Sequence, residues 1–351
     1  MSTNPQGLQP LEIDAGAVVV GIDVGGTKTN ATILDSTGRF LVDRMVEVPS
    51  CVRQGPAAAL EAVSGAMQLV LDTVGIPRAA VRAVGLDTPG PASATGVISV
   101  RGATNFPDEV WWGFDIRAAV EQHLRLPVIY NNDGNAAALY AHTSLFGIDA
   151  HRRSSVSAIV GTGLGGGVIE SGRVVRGASG MAGELGHVQI PLDGLLGDGQ
   201  PSPRCNCGLI GDLESVASLT AIETNLLPYW LTRYPDHPLA AAASMREAAM
   251  GVRGYGERGD EMALKIFEQQ AMAIGRMFAI AANFTDPDAY FVGGGVIEAA
   301  PHFREWFMTT VQANTVLRQE QALVATFALV PELDMAGARG SALAALESLR
   351  E

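Results

Sequence analysis

The chain has 351 residues, of which 47% are hydrophobic and 17% are charged, a composition typical of globular proteins. Its formal charge of -13 argues against a broad surface for nucleic acid or anionic lipid, because like charges repel. No apolar run approaches the roughly 18 residues of a membrane helix, and residues 1–14 have neither the basic start nor the apolar stretch of a signal peptide. We therefore expect a cytoplasmic protein without nucleic-acid or membrane partners.

The first predicted feature is a glycine turn between two apolar runs, Ala17 to Ile22 and Ala31 to Leu34. Glycines can adopt positive φ and lack side chains, so their N–H groups can approach an anion, and a hydroxyl and an ammonium group follow them. The leading aspartate can reach a magnesium ion through water, since a hard cation prefers carboxylate oxygen. The turn therefore predicts a nucleotide-phosphate site, with an ordinary hairpin turn as the alternative. Its residues are Asp23, Gly25, Gly26, Thr27 and Lys28.

Strands and helices alternate over the next hundred residues, which is the order of an α/β domain. The pattern predicts a helix from Pro56 to Val74 and strands from Val81 to Leu86 and from Val128 to Tyr130. Asp133 follows the last of these strands, where an alanine-rich helix, Asn135 to Phe146, begins. Ligands bind at that edge of an open sheet, and aspartate is also a frequent N-cap, so both roles are open for Asp133.

A second glycine turn repeats the first arrangement after an apolar run from Val156 to Val160. Two units of strand, glycine turn and strand indicate two similar halves. Gly161, Gly163 and Gly166 fit the spacing G-x-G-x-x-G, but that fingerprint must open a helix. The residues that follow are β-branched and turn again at Gly172, so we predict a hairpin and not a Rossmann domain.

The last third of the chain is predicted to contain a long helix from Glu261 to Phe284, which stops before Pro287. The strand from Ala289 to Val292 then leads into a third run of glycines, at which a base or ribose can approach bare backbone. The stretch from Pro228 to Gly256 is predicted to be irregular. A final alanine- and leucine-rich helix is expected over 340–349.

Together these segments resemble the ROK family of sugar kinases and sugar-responsive repressors, within the actin, Hsp70 and sugar kinase superfamily. The resemblance spans about residues 18–343, nearly the whole chain. It implies an α/β fold with two ribonuclease-H-like, actin-like ATPase domains that flank a cleft. One domain is expected over 1–134, with a helix over 338–351 packing back on it, and the other over 135–337. The motifs that carry the resemblance are Gly21-Ile22-Asp23-Val24-Gly25-Gly26-Thr27-Lys28, Pro89-Gly90-Pro91, Asn132-Asp133-Gly134-Asn135-Ala136-Ala137-Ala138, Gly183-Glu184-Leu185-Gly186-His187 and Cys205-Asn206-Cys207-Gly208-Leu209-Ile210-Gly211-Asp212-Leu213-Glu214.

The resemblance also implies roles for individual residues, with ATP and Mg²⁺ as cofactors. Asp133 matches the catalytic base, which takes a proton from the attacking sugar hydroxyl. Sugar hydroxyls both donate and accept hydrogen bonds, so a set of carboxylates, amides and an imidazole suits them. The residues that match sugar-binding positions are Asn105, Asn132, Glu184, His187 and Glu214. Those that fall on nucleotide-contacting segments are Asp23, Gly25, Gly26, Thr27, Lys28, Thr162, Gly163, Gly294 and Gly295.

A metal loop is implied as well, and here the chain departs from the family. Three cysteines, two of them one residue apart, do not make a disulfide framework. The family's loop reads C-x-C-G-x-x-G-C-x-E and is completed by the histidine of G-E-x-G-H. Asp212 takes the place of the third cysteine, so the implied structural Zn²⁺ site consists of His187, Cys205, Cys207 and Asp212. The alternative is a metal-free loop in which Asp212 caps a helix that begins near Leu213.

The function implied by this resemblance is ATP-dependent phosphorylation of a hexose, glucose at its 6-hydroxyl by default. Kinases of N-acetylmannosamine, N-acetylglucosamine or fructose are alternatives, because one hydroxyl position can decide between such sugars. A sugar-responsive repressor carries a helix-turn-helix domain ahead of the kinase-like core, and about sixteen residues before the first strand are too few for one. The presence of Asp133 argues against a third alternative, a weakly catalytic sugar-binding protein. We expect a homodimer or homotetramer, and the choice between ATP and polyphosphate as donor stays open.

Overall fold

A computed structural model describes residues 16–90, 92–100, 105–106 and 108–350 of the chain. Pro91, in one of the family motifs, lies outside these residues. The strands are β1 Val18–Val24, β2 Lys28–Asp35, β3 Val46–Pro49, β4 Val81–Thr88, β5 Val128–Asn132, β6 Ser155–Val160, β7 Leu164–Glu170, β8 Arg173–Val174, β9 Ala289–Gly294 and β10 Thr326–Leu329. The α-helices are α1 Pro56–Val74, α2 Ile116–Leu124, α3 Asp133–Phe146, α4 Leu219–Ala221, α5 Leu227–Arg233, α6 Met245–Gly256, α7 Glu261–Thr285, α8 Pro301–Ala313, α9 Gln319–Ala322 and α10 Leu333–Ser348.

The chain forms two compact units. Unit 1 comprises the residues up to Ala136 together with those from Gly337 onward, and unit 2 is Ala137–Ala336. The chain therefore passes from one unit to the other inside α3 and again inside α10. We retain the domain division predicted from the sequence, 1–134 with 338–351 and 135–337, as a proposal.

The sheet of unit 1 has the strand order β3-β2-β1-β4-β5. β1 pairs antiparallel with β2 and parallel with β4, and β5 runs parallel to β4. The carboxyl ends of β1, β4 and β5 therefore share one edge, where Asp23, Asp87 and Asn132 stand. α1 packs its buried face, which includes Val63, Met67 and Val70, against this sheet and completes the core.

The helix α1 is also the one helix of the described residues that is long and apolar enough to cross a membrane, with a mean hydropathy of 1.2. The sequence-based statement that no such segment exists was therefore too strong. Its apolar face lies in the core of unit 1, where Met67 and Leu71 are fully buried. A core helix of this composition meets the same length and hydropathy criteria as a membrane span.

The sheet of unit 2 has the order β10-β9-β6-β7-β8 and repeats the topology of unit 1. β6 pairs antiparallel with β7 and parallel with β9, as β1 does with β2 and β4. The 25-residue helix α7 is capped by Asp260, whose carboxylate accepts from Ala263 N at 2.9 Å, and it ends at Asp286 in the left-handed conformation. The prediction of two similar halves is confirmed.

Three predictions of secondary structure differ from the structure by more than two residues. The last helix begins at Leu333, not at 340, because Gly337 and Gly340 lie inside it. A Cβ at Gly340 would collide with the carbonyl oxygen of Ala136, so close packing explains glycines that resemble helix breaks. No helix begins near Leu213, where a single turn precedes α4, and Pro228 to Gly256 is largely helical, in α5 and α6.

Candidate active site and metal loop

The first glycine turn joins β1 to β2, and Gly25 N donates to Lys28 O at 2.9 Å across it. Neither Gly25 nor Gly26 has a positive φ, so this turn does not use the left-handed conformation that glycine allows. Close packing explains the glycine at position 26, since a Cβ there would lie 2.7 Å from Asn105 Oδ1. This turn therefore touches Asn105, a residue predicted to bind sugar.

Lys28 stands apart from the rest of its predicted group. It is the first residue of β2, and its Nζ lies 2.9 Å from Glu47 Oε2, with side-chain exposures of 60% and 50%. Such an exposed ion pair stabilises a protein by less than about 1 kcal/mol. Thr27 beside it is exposed as well.

Asn132 and Asp133 divide two tasks at the start of α3. Asn132 Oδ1 accepts from Asn135 N at 2.8 Å, which is the hydrogen bond of an N-cap. Asp133 is therefore not the cap that the sequence left open. It is exposed, lies in the first turn of the helix, and accepts from Gly134 N at 2.8 Å through Oδ1.

The second glycine turn is closed by Gly161 N, which donates to Gly163 O at 2.9 Å, and Thr162 is exposed in it. Glu214 Oε2 accepts from Leu164 N at 2.8 Å, immediately after the turn. A Cβ at Gly163 would lie 2.5 Å from that carboxylate oxygen. As in unit 1, a residue predicted to bind sugar lies directly against a turn predicted to bind nucleotide.

The third group of predicted nucleotide contacts, Gly294 and Gly295, lies where β9 ends. Gly294 has φ 102°, and a Cβ on it would collide with the carbonyl oxygen of Val160 on β6. Both backbone conformation and space therefore require glycine at this position. Gly295 begins a short 3₁₀ helix, and its carbonyl accepts from Arg253 Nη1 at 2.6 Å.

Glu184 and His187 stand at the two ends of one short turn, in which His187 N donates to Glu184 O at 3.2 Å. Burial raises the pKa of Glu184, and the negative charge of Glu214 adds to this effect while His187 opposes it. Two carboxylates and an imidazole are therefore grouped in unit 2. Such a group offers acceptors and a donor to a polyol.

The structure brings together the four residues that were predicted as zinc ligands. The ligand atoms of His187, Cys205, Cys207 and Asp212 all lie within 4.8 Å of one another. His187 Nδ1 is 3.2 Å from Asp212 Oδ2 and 3.9 Å from Cys205 Sγ, and Cys207 Sγ is 3.5 Å from Asp212 Oδ2. A tetrahedron with zinc bond lengths has edges of about 3.3–3.8 Å between such atoms. The donor set and its spacing therefore fit Zn²⁺.

The two carboxylate oxygens of Asp212 face different partners, so capping a turn does not prevent Asp212 from facing the cluster. Its Oδ1 accepts from Ser215 N at 3.0 Å, and its Oδ2 faces the cluster. Its hydrogen bond raises the pKa of His187 to about 9. Burial raises the pKa of the Cys205 thiol, while hydrogen bonds from His187, Cys205 and Ser215 outweigh burial and lower that of Asp212. A bound cation would displace the protons held here.

One acidic residue at the edge of the first sheet was not identified from the sequence. Asp87 is the penultimate residue of β4, directly opposite Asp23 of β1, and it is fully buried. The available signal was positional, since Asp87 follows an apolar strand as Asp23 does. An acidic residue near the end of a buried strand differs from a solvated surface residue, because acidic side chains are almost never fully buried without a partner.

Two sheets of the same topology, each with a glycine turn beside a polar edge, define the class of actin-like ATPase folds. The family model described as "ROK family" matches residues 19–348. The chain belongs to the ROK family, as its motifs predicted.

Individual relatives agree with this assignment. The chain is 32% identical to a glucokinase from Halalkalibacterium halodurans over 80% of this chain and 81% of the relative. It is 29% identical to an N-acetylmannosamine kinase from Shigella flexneri over 79% of this chain and 83% of that relative. Among solved structures, a ROK hexokinase from Thermus thermophilus superposes with a TM-score of 0.74, 31% identity and coverage of 95% and 99%. A ROK glucokinase from Streptomyces griseus, solved with glucose and AMPPNP, superposes with a TM-score of 0.68 and 27% identity. The match covers 94% of this chain and 100% of that structure's chain. The predicted fold class is confirmed.

Proposed function

We propose that this protein is a glucokinase, which transfers the γ-phosphoryl group of ATP to the 6-hydroxyl of glucose. The broader class, an ATP-dependent sugar kinase, is confirmed by the relatives and structures described above. The position of Asp133 supports its choice as the catalytic residue. Asp133 is exposed at the carboxyl end of β5, and Asn132, not Asp133, caps the helix α3. The glucose preference rests on the glucokinase relatives and on the glucose-bound structure.

In the proposed reaction, the Asp133 carboxylate accepts the proton of the 6-hydroxyl as its oxygen forms a bond to the γ-phosphorus. The bond from that phosphorus to the bridging oxygen breaks, and ADP leaves. Phosphoryl transfer depends on alignment and charge neutralisation more than on covalent chemistry. One correctly positioned carboxylate is therefore sufficient as the general base. Mg²⁺ on the nucleotide would supply charge neutralisation at the phosphates.

The remaining site residues belong to this proposal. The turn amides around Gly25, Gly26 and Gly163 would donate to phosphate oxygens, and bare backbone at Gly294 would accommodate the nucleoside. Asn105, Asn132, Glu184, His187 and Glu214 would bind the sugar hydroxyls. The contacts of Gly26 with Asn105 in unit 1 and of Leu164 N with Glu214 in unit 2 support placing sugar next to phosphate.

Structural zinc is a further part of the proposal. His187, Cys205, Cys207 and Asp212 would hold it, and it would fix the loop that carries Glu214. Cys205 Sγ lies 3.5 Å from Glu214 Oε1, so ordering of the cysteine loop reaches a proposed sugar ligand. We also propose that the protein acts in the cytoplasm as a homo-oligomer.

N-acetylmannosamine is the second candidate substrate, because a kinase for it is nearly as similar to this chain as the glucokinases are. A coupled assay of ADP release, run with glucose, mannose, fructose, N-acetylglucosamine and N-acetylmannosamine, separates the candidates. The proposal requires the highest kcat/KM for glucose. The highest value for an N-acetylated sugar would overturn the glucose assignment and leave the kinase assignment intact.

Replacing the proposed base tests the mechanism. Asp133→Asn should lower kcat by about 10²- to 10⁴-fold, because the amide cannot accept the proton. The thermal unfolding midpoint should stay near that of the wild type, since the cap belongs to Asn132. Near-normal turnover of the variant with glucose would contradict the assignment of Asp133.

A further inference from the structure

Asp87 and Asp23 form a pair of acidic side chains at the edge of the unit 1 sheet. They are register partners on the parallel strands β4 and β1, so their side chains leave the sheet on the same face. Asp87 is 0% exposed, whereas Asp23 is only half-buried. The function proposed above places phosphates at the first glycine turn, which directly follows Asp23, and it gives Asp87 no role.

The helix α10 covers this pair closely. Ser341 Oγ donates to Asp87 Oδ2 at 3.1 Å. A Cβ at Gly337 would lie 2.9 Å from the same oxygen and 3.4 Å from Asp23 Cγ, so helix backbone packs directly on both carboxyl groups. On the other side, Asn30 Nδ2 donates to Asp23 Oδ2 at 3.1 Å. The helix α10 and the strand β2 thus enclose the pair.

One oxygen of the pair has no donor. Asp87 Oδ1 is fully buried and finds no hydrogen-bond partner among the residues that the structure describes. An unpaired buried carboxylate oxygen beside a second carboxylate is costly, because both desolvation and like-charge repulsion oppose it. A proton on Asp87 Oδ1 removes both costs, since the oxygen becomes a donor and its register partner Asp23 can accept.

The electrostatics of the pair agree with this placement of the proton. Burial raises the pKa of Asp87 well above its ordinary value, and the charges of Asp23 and Asp133 add to the effect. Because the two carboxyls can share one proton, Asp23 further raises the pKa of Asp87, and Asp87 in turn lowers that of Asp23, although burial still raises the latter overall. The more exposed Asp23, with an amide donor, is the better site for the charge.

We propose that Asp87 is a positioning residue for Asp23. It stays a neutral carboxylic acid, donates its Oδ1 hydrogen to the Asp23 carboxylate, and holds that carboxylate at the first glycine turn, where the proposed function places the phosphates of ATP. Ser341 fixes the other oxygen of Asp87, and the glycine at 337 leaves room for the pair. Asp87 thus acts on the nucleotide through Asp23 and not by contact.

The test uses the fact that an asparagine amide has the shape and the donor of a protonated aspartic acid. In Asp87→Asn the amide oxygen accepts from Ser341 and Nδ2 faces Asp23, so the Kd for Mg–AMPPNP, measured by calorimetry without sugar, should stay within about threefold of the wild type. Asp87→Leu keeps the approximate shape without a donor, and its Kd should rise about 10-fold or more, as expected when a hydrogen bond to a charged group is lost. Asp72→Asn, an exposed aspartate of α1, is the matched control for the change of charge.

The outcomes separate this proposal from its premise. A folded Asp87→Asn protein that binds the nucleotide as weakly as Asp87→Leu would show that Asp87 acts as a carboxylate and would overturn the proposal. If Asp87→Leu does not fold, Asp87→Ala replaces it, and unchanged binding by the donor-free variant would equally refute the positioning role. Because the readout is nucleotide binding without sugar, a wild type that binds Mg–AMPPNP but phosphorylates no hexose would contradict the proposed function alone. The ratio of Kd values between the asparagine and leucine variants would still decide the role of Asp87.

Discussion

At the scale of single residues, neighbouring side chains at the edge of the first sheet perform different tasks. The sequence left Asp133 with two roles, and the structure assigns the cap to Asn132 by one hydrogen bond, to Asn135 N. Which of two adjacent polar residues caps a helix depends on backbone angles at the strand end. The residue pattern does not specify those angles.

Replacement of the cap should destabilise the protein without removing the proposed base. Asn132→Ala should lower the free energy of unfolding by about 1 kcal/mol, because Asn135 N–H loses its acceptor at the start of α3. Urea denaturation measures the change. Asn132→Asp keeps a capping oxygen and serves as the control, and equal losses in both variants would contradict the capping role.

The buried aspartate gives stability a pH dependence. The folded protein holds the proton of Asp87 above pH 3.8, the ordinary carboxyl pKa, because burial first and then the charges of Asp23 and Asp133 raise the folded-state pKa. The unfolded chain releases this proton, so stability decreases as pH rises through that window, by up to about 1.4 kcal/mol per pH unit for one proton.

Asp87→Asn removes this titration. Its free energy of unfolding should therefore depend less steeply on pH than that of the wild type, and the variant should gain relative stability towards neutral pH. Urea titrations from pH 4 to pH 8 measure both slopes. Parallel slopes for the two proteins would show that Asp87 ionises normally in the folded state.

At the scale of elements, the glycine turns are specified by what packs against them. Gly26 and Gly163 have no positive φ, yet side chains of Asn105 and Glu214 occupy the space that a Cβ would need. The motif located both turns correctly, but it could not reveal these long-range contacts, because the partners lie far away in the chain. In both units the turn and a proposed sugar ligand form one packed cluster.

A methyl group at the second turn should disturb that cluster. Gly163→Ala should lower kcat/KM for the sugar by about 10-fold or more, since the added Cβ displaces Glu214 and small misplacements near a reacting group are expensive. Steady-state kinetics with varied glucose measure the effect. Gly161→Ala is the matched control, because the nearest atom to its added Cβ is 3.9 Å away. Equal activity of both variants would contradict the link.

The metal loop shows the same division between pattern and packing. The sequence predicted four zinc ligands, including Asp212 in place of a cysteine, and the fold brings the candidate ligand atoms within 4.8 Å of one another. The predicted helix at Leu213 was wrong, because Asp212 caps a single turn through Ser215 N. A capping aspartate indicates a turn, and only the residues downstream decide whether a helix follows.

Zinc analysis tests this loop. Protein purified without added metal should contain close to one zinc per chain, as expected for a closed set of four ligands. Asp212→Cys should bind zinc more tightly in competition with a chelator, because it restores a third thiolate, and Cys51→Ser should leave the stoichiometry unchanged. Zinc well below one per chain, or no response to Asp212→Cys, would contradict the site.

At the scale of the whole molecule, duplicated topology was the most predictable property. Two strand-turn-strand patterns predicted two similar halves, and the strand orders confirm them. Apolar runs in the sequence predicted β1, β6 and α1 correctly, because local hydrophobic periodicity determines such elements. The start of α10 was not predicted, because glycines have low helix propensity and Gly337 and Gly340 therefore indicate a helix boundary. In the structure both glycines lie inside the helix, where they allow close packing with residues near 87 and 136.

The two crossings between the units restrict how this protein can be dissected. Both lie within continuous helices, after Ala136 in α3 and before Gly337 in α10, so no linker separates the halves. A fragment that ended at residue 136 would retain one turn of α3 and would lack the part of α10 that carries Ser341. Independent expression of either half would therefore require redesigned helix ends, and a protease would have to open a helix before it could cut at either junction.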